Sequence, residues 1–277
     1  MSTVCLALER DAGVAHIRLN RPERLNAMTR EFWLELPRVV RGLDVEGGTR
    51  VAVISSTGKH FTAGMDLSVF QDGDALATDT VAARERFRQQ LLVLQETFGA
   101  LARARFPVIA AVQGGCIGAG VDLVSACCLR YATRDAYFSI HEINIGMMAD
   151  VGTLQRVPRQ LPEAVVRELA YTGDRLPAER AERLGFVNAL FDTPEALIAG
   201  ALEVARRIAA KAPVAVAASK EMISYSRDHT LADSFTYLNA LQPGIFSLAD
   251  IGRAVAAQKS GGIARFEDLP PIKPAIS

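Results

Sequence analysis

The sequence is short of the features that would assign it quickly, and each shortage excludes something. It holds four cysteines, Cys5, Cys116, Cys127 and Cys128, with no CxxC pair and no Cys/His ligand spacing. Neither a disulfide framework nor a zinc site is expected, and the thiols read as buried and reduced. Net charge is zero, with 31 Lys+Arg against 31 Asp+Glu, which gives no basic footprint for nucleic acid or a membrane surface. No apolar run reaches the roughly 18 uncharged residues of a membrane span. The N-terminus MSTVCLALERDAG lacks the basic and apolar blocks of a signal peptide, and the C-terminus KPAIS is not an SKL-type ending, so a cytoplasmic protein is expected. GxGxxG, GxxxxGK[ST] and GxSxG are all missing, which removes the dinucleotide fold, the P-loop and the serine-hydrolase elbow.

What is present is an ordinary globular composition, 49% hydrophobic and 22% charged over 277 residues, enough for a sizeable core. TVCLAL and VAHIRL, parted by ERDAG, predict a hairpin turning near Gly13. Thr29 can cap a helix to about Leu43, and residues 51–55 form a third strand. A polar section over 68–90 leads into a helix ending near Ala104, a strand over 107–112, a helix VDLVSACCL, and a strand ATRDAYFSI. Repeated strand–strand–helix rounds predict a layered α/β fold. From about Thr193 the pattern is helical, and its apolar faces suggest an oligomer.

The most informative stretch runs from Phe106 to Pro158. An apolar strand leads into GGCIGAGVD, much as a strand over 51–55 leads into HFTAGMD. A helix that starts after a glycine turn leaves backbone N–H groups free to hold negative charge. Two readings of these turns stay open: plain turn formers, or two N–H groups shared on one oxygen as an oxyanion hole. His60 and His141 lie nearby, each without a partner in the pattern, and read as structural or surface residues. Asp122, Glu142 and Asp150 sit in or beside apolar sequence, where a carboxylate is costly unless it is paired or used. Asp122 and Asp150 are either helix caps or, with Glu142, the acid/base groups of a site.

At LNRPERLNAM (19–28), HFTAGMDL (60–67), FPVIAAVQGGCIGAGVDL (106–123), ADVGTLQRVP (149–158) and APVAVAASKEMI (212–223), the chain resembles the crotonase, or enoyl-CoA hydratase/isomerase, superfamily. The resemblance implies an α/β fold: a ββα spiral over residues 1–192 bearing an acyl-CoA site, then a helical region over 193–277 for capping and oligomerisation as a trimer or dimer of trimers. It implies an acyl-CoA thioester substrate, with coenzyme A part of the substrate, no separate cofactor, no metal, and neither nucleic acid nor membrane as partner. The oxyanion N–H groups would be those of Met65 and Ala119, with Ala63, Gly64, Asp66 and Gly118 forming the substrate-binding turns. Ala119 stands where the family usually has glycine, which keeps the N–H and adds a methyl group. Hydratases of the family use two glutamates twenty residues apart, matched here by Asp122 and Glu142. Asp150, eight residues further on, completes an acidic trio spaced as in the Δ3,5-Δ2,4-dienoyl-CoA isomerases. The resemblance therefore implies a 3,5- to 2,4-dienoyl-CoA isomerase with Asp122, Glu142 and Asp150 catalytic. The alternatives are a 2-enoyl-CoA hydratase and a non-catalytic CoA-thioester binder. Arg24 and Lys220 are candidate partners for CoA phosphates.

Overall fold

The computed structural model describes residues 5–71 and 77–273. β1 (Leu6–Asp11) and β2 (Val14–Leu19) form the expected antiparallel hairpin. α1 (Arg30–Glu46) starts after Thr29 and runs nearly a turn beyond Leu43, to a left-handed Gly47. β3 (Val51–Ser56) follows, and then α2 (Val81–Arg103), whose first turn is capped by the Thr80 hydroxyl. The polar section over 68–90 therefore divides: its second half is already α2, and residues 72–76 lie outside the described residues.

Beyond α2 the chain repeats one plan. β4 (Val108–Val112) enters a first sheet, β5 (Gly115–Ile117) a second, and α3 (Ala119–Ala126) closes the round. β6 (Leu129–Thr133) and β7 (Tyr137–Ser139) repeat the two strands, followed by α4 (Thr153–Arg156) and α5 (Glu163–Thr172). β8 (Arg175–Pro177), α6 (Ala178–Arg183) and β9 (Ala189–Phe191) finish the spiral. The first sheet has the order β1-β2-β3-β4-β6-β9 and is parallel from β2 onward; the second has the order β5-β7-β8.

Besides the end of α1, three expected boundaries move. β1 runs to Asp11, so ERD belongs to the strand and only Ala12 and Gly13 turn. The helix read through Leu129 stops at Ala126, because Cys128 N–H bonds the Val108 carbonyl and opens β6. The strand read over 132–140 is two strands, since Ala136 N–H turns back onto Thr133 O. Each half then joins a different sheet.

β3 and β4 are buried along their whole length, as parallel strands covered on both faces must be. One face packs on α1, α2 and α3 through Leu36, Phe98, Leu101 and Leu123. The other packs on α7 (Pro194–Ala209), whose Leu197, Ala201, Ala205 and Ala209 recur every fourth residue and let the helix lie close to Val51, Val53 and Ile109. α8 (Pro213–Asp228), α9 (Leu231–Ile245) and α10 (Leu248–Ser260) complete the chain's helices. Among the described residues no helix is long and apolar enough to cross a membrane.

Candidate active site

Two loops and one helix start build the site. Asn26 bridges them: its side-chain amide donates to Thr57 O and His60 O at 2.8 and 3.1 Å, and its Oδ1 accepts from Arg21 N. Gln113, at the end of β4, donates to Ser56 O and Gly58 O. His60 Nδ1 accepts from Gly115 N at 2.9 Å, a turn-holding role consistent with its structural reading, whereas His141 is exposed. Thr62 Oγ1 donates to Asn26 O and accepts from Gly64 N.

This knitting isolates two N–H groups. Met28 N–H bonds Gly64 O and Asp66 N–H bonds Met28 O, while Ala63 N–H bonds Leu25 O. The N–H of Met65, between them, meets no acceptor among the described residues. Gly118 N–H is taken by Ser139 O, but Ala119 opens α3 and its N–H has no partner there either. The two turns touch. Gly64 adopts φ +87°, and a Cβ on it would lie 2.7 Å from Ile117 O and 3.5 Å from Ala119 N, so only glycine fits between them.

The three carboxylates converge on the same region. Asp122 sits in the first turn of α3, a helix buried at every residue, and its Oδ1 accepts from Thr153 N at 2.5 Å. Its Oδ2 is buried and finds no hydrogen-bond partner among the described residues. Glu142 lies in the short helical turn His141–Ile145 after β7; its Oε1 is 3.3 Å from where a Gly118 Cβ would stand, and its Oε2 is buried with no hydrogen-bond partner among the described residues. Asp150 is half-buried in the irregular segment before α4.

The electrostatics follow from that placement. Burial, then the charge of Asp122, pushes Glu142 up to about 7, with Asp150 adding to the push. Burial raises Asp122 to about 6; Thr153 and the Arg156 guanidinium hold it from going higher, and Asp150 works against them. Asp150 is raised chiefly by burial. The Thr153 hydroxyl faces Asp122 and favours its charge, although its Oγ1 completes no hydrogen bond in this arrangement. Carboxylates that repel one another in poorly solvated surroundings share protons near neutral pH, which suits acid/base work.

Not every sequence candidate reaches the chemistry. The Asp66 carboxylate turns to Ser68 N at 2.9 Å and is held below its ordinary pKa by that residue. Lys220 is taken up internally, donating to Leu101 O, Ala104 O and Phe106 O. Thr153 was not singled out in the sequence, and nothing local marks it except its place after Gly152 at a helix start. Among the described residues no group of three or more His, Cys, Asp or Glu side chains is placed to hold a metal ion.

The sequence profile described as enoyl-CoA hydratase/isomerase matches residues 9–266. The chain belongs to the enoyl-CoA hydratase/isomerase family. It is therefore an enzyme of the crotonase type, with the α/β fold of that family. The human mitochondrial Δ(3,5)-Δ(2,4)-dienoyl-CoA isomerase is 40% identical over 248 residues, covering 88% of this chain and 75% of the relative. The peroxisomal enzyme of the same name from Arabidopsis thaliana is 35% identical over 262 residues, 94% of each. Among solved structures, an enoyl-CoA hydratase from Mycobacterium marinum superposes with a TM-score of 0.79 at 32% identity, covering 95% of this chain and 99% of that one.

Proposed function

We propose that this enzyme converts 3,5-dienoyl-CoA thioesters to 2,4-dienoyl-CoA thioesters. One observation carries the reading: a third carboxylate, Asp150, joins Asp122 and Glu142 in one electrostatically coupled cluster. A hydration needs two acid/base groups, and a third partly buried carboxylate would then be an uncompensated cost. The relatives whose names state this isomerisation point the same way.

In this reading the thioester oxygen accepts hydrogen bonds from Met65 N–H and Ala119 N–H. As a proton leaves C2, charge develops on that oxygen, and each fixed donor lowers the barrier by about 3 kcal/mol. The resulting dienolate is spread over the oxygen, C2, C4 and C6. Glu142 takes the proton from C2 and Asp150 delivers one to C6, so the double bonds move from positions 3 and 5 to positions 2 and 4 with no net change in composition or oxidation level. Asp122, anchored on Thr153 N–H, raises the proton affinity of Glu142. Coenzyme A enters as part of the substrate, and no separate cofactor takes part.

The test is an ultraviolet assay on a 3,5-dienoyl-CoA beside a 2-enoyl-CoA, with wild type and Asp150→Asn. We expect conjugated 2,4-diene from wild type and at least a ~100-fold loss in the variant. Hydration of the 2-enoyl substrate, with the Asp150→Asn variant unaffected, would replace this reading with the hydratase one, in which Asp122 and Glu142 act on water.

A further inference from the structure

The acid-bearing turn has a support that does not belong to the reacting cluster. Residues 147–152 adopt no regular structure, and among the described residues only the Gly152 carbonyl is taken by backbone N–H groups, those of Gln155 and Arg156 in α4. Three side-chain contacts hold the turn. Thr153 N–H is fixed to Asp122. The Arg156 guanidinium, lying against Gly152, donates to Val151 O at 3.3 Å. The third comes from another element: Gln95, in the middle of α2, donates its side-chain amide to Asp150 O at 2.8 Å.

That last bond acts on the acid itself. An aspartate carboxylate is joined to its backbone through a single methylene, so a shift of the Asp150 carbonyl carries the carboxylate with it. A displacement of about 1 Å at a proton-transfer group can cost on the order of 100-fold in rate. The Asp150 carbonyl receives no backbone hydrogen bond among the described residues. α2 is a well-anchored source for the missing one: just beyond Gln95, Thr97, Phe98 and Leu101 are fully buried. The half-buried Gln95 side chain therefore reaches the turn from a rigid base.

We propose that Gln95 is a positioning residue for Asp150, its amide fixing the backbone of the acid-bearing turn and so the reach of the carboxylate. The inference rests on the reading of Asp150 as a proton-transfer group. Gln95→Met keeps the length and loses the donor; Gln95→Lys keeps a donor. On a 3,5-dienoyl-CoA the Met variant should lose at least ~10-fold in kcat with KM within about two-fold, and the Lys variant should recover most of that loss. A kcat within about two-fold of wild type in Gln95→Met would overturn the proposal. So would a joint loss of kcat, KM and thermal stability that Gln95→Lys fails to restore, since that marks general packing. Asp150→Asn, run alongside, separates the two ideas: if it is inactive while Gln95→Met is unimpaired, only the Gln95 proposal fails. If Asp150→Asn retains turnover, the reading of Asp150 fails and takes this proposal with it.

Discussion

At the scale of single residues, Glu142 carries the clearest consequence. Its folded pKa of about 7 lies above its ordinary value because burial and the neighbouring Asp122 disfavour the charge. The folded protein thus binds this proton more tightly than the unfolded chain does. Stability contributed by the protonated form is complete below the unfolded pKa and falls as pH rises through about 7. Glu142→Gln removes the buried charge, so it should stabilise the free protein at pH 8 by about 1–2 kcal/mol after allowance for solvent screening. The gain should vanish near pH 4. Urea unfolding at the two pH values checks this, and equal effects at both would contradict the placement of the carboxylate. The kinetic counterpart has two limbs. Glu142 must be unprotonated and Asp150 must carry its proton to C6, so kcat/KM should be bell-shaped, with one limb near pH 7. An activity that is flat from pH 5 to 8 would remove Glu142 from the role of base.

At the scale of elements, the strands and helices were largely legible because their patterns are local. β3 and β4 are short apolar runs bounded by turns, and α7 shows its buried stripe every fourth residue. The acidic cluster was legible only through family resemblance, since spacing alone does not bring Asp122, Glu142 and Asp150 together. What stayed hidden is long-range hydrogen bonding, which leaves no periodic trace. Arg130 is one case: it is buried, donating to Phe186 O, to Val124 O in the last turn of α3 and to Cys127 O just beyond it. Lys220 is another, and a more testable one. Read alone it is a surface cation; in the fold its ammonium fastens α8 to Leu101 O in the last turn of α2 and to Ala104 O and Phe106 O in the connection to β4. Lys220→Met keeps the stem and removes all three donors, so it should destabilise the protein by about 2–4 kcal/mol. A denaturant midpoint like that of wild type would mean that water replaces the ammonium at no cost, and that α8 is held by packing alone.

At the scale of the whole molecule, the apolar surface is unevenly spread. Leu231 and Leu248 are 73% and 75% exposed, with Phe235 at 56% and Ile251 at 46%, all on α9 or α10. Scattered apolar residues on a surface need no explanation, but several on two successive helices suit a face that another molecule covers. We propose that a second copy covers these helices, in trimers or dimers of trimers. Light scattering on the purified enzyme at micromolar concentration should give three or six times the chain mass. Leu248 and Ile251 lie three residues apart on α10 and so share a face. Replacing both with glutamate would put charge into a buried contact and should shift the population toward the single chain. A wild type that scatters as one chain would sink the assembly. A wild type that assembles while the double glutamate variant assembles equally well would move the contact away from α10, to another apolar face of the fold.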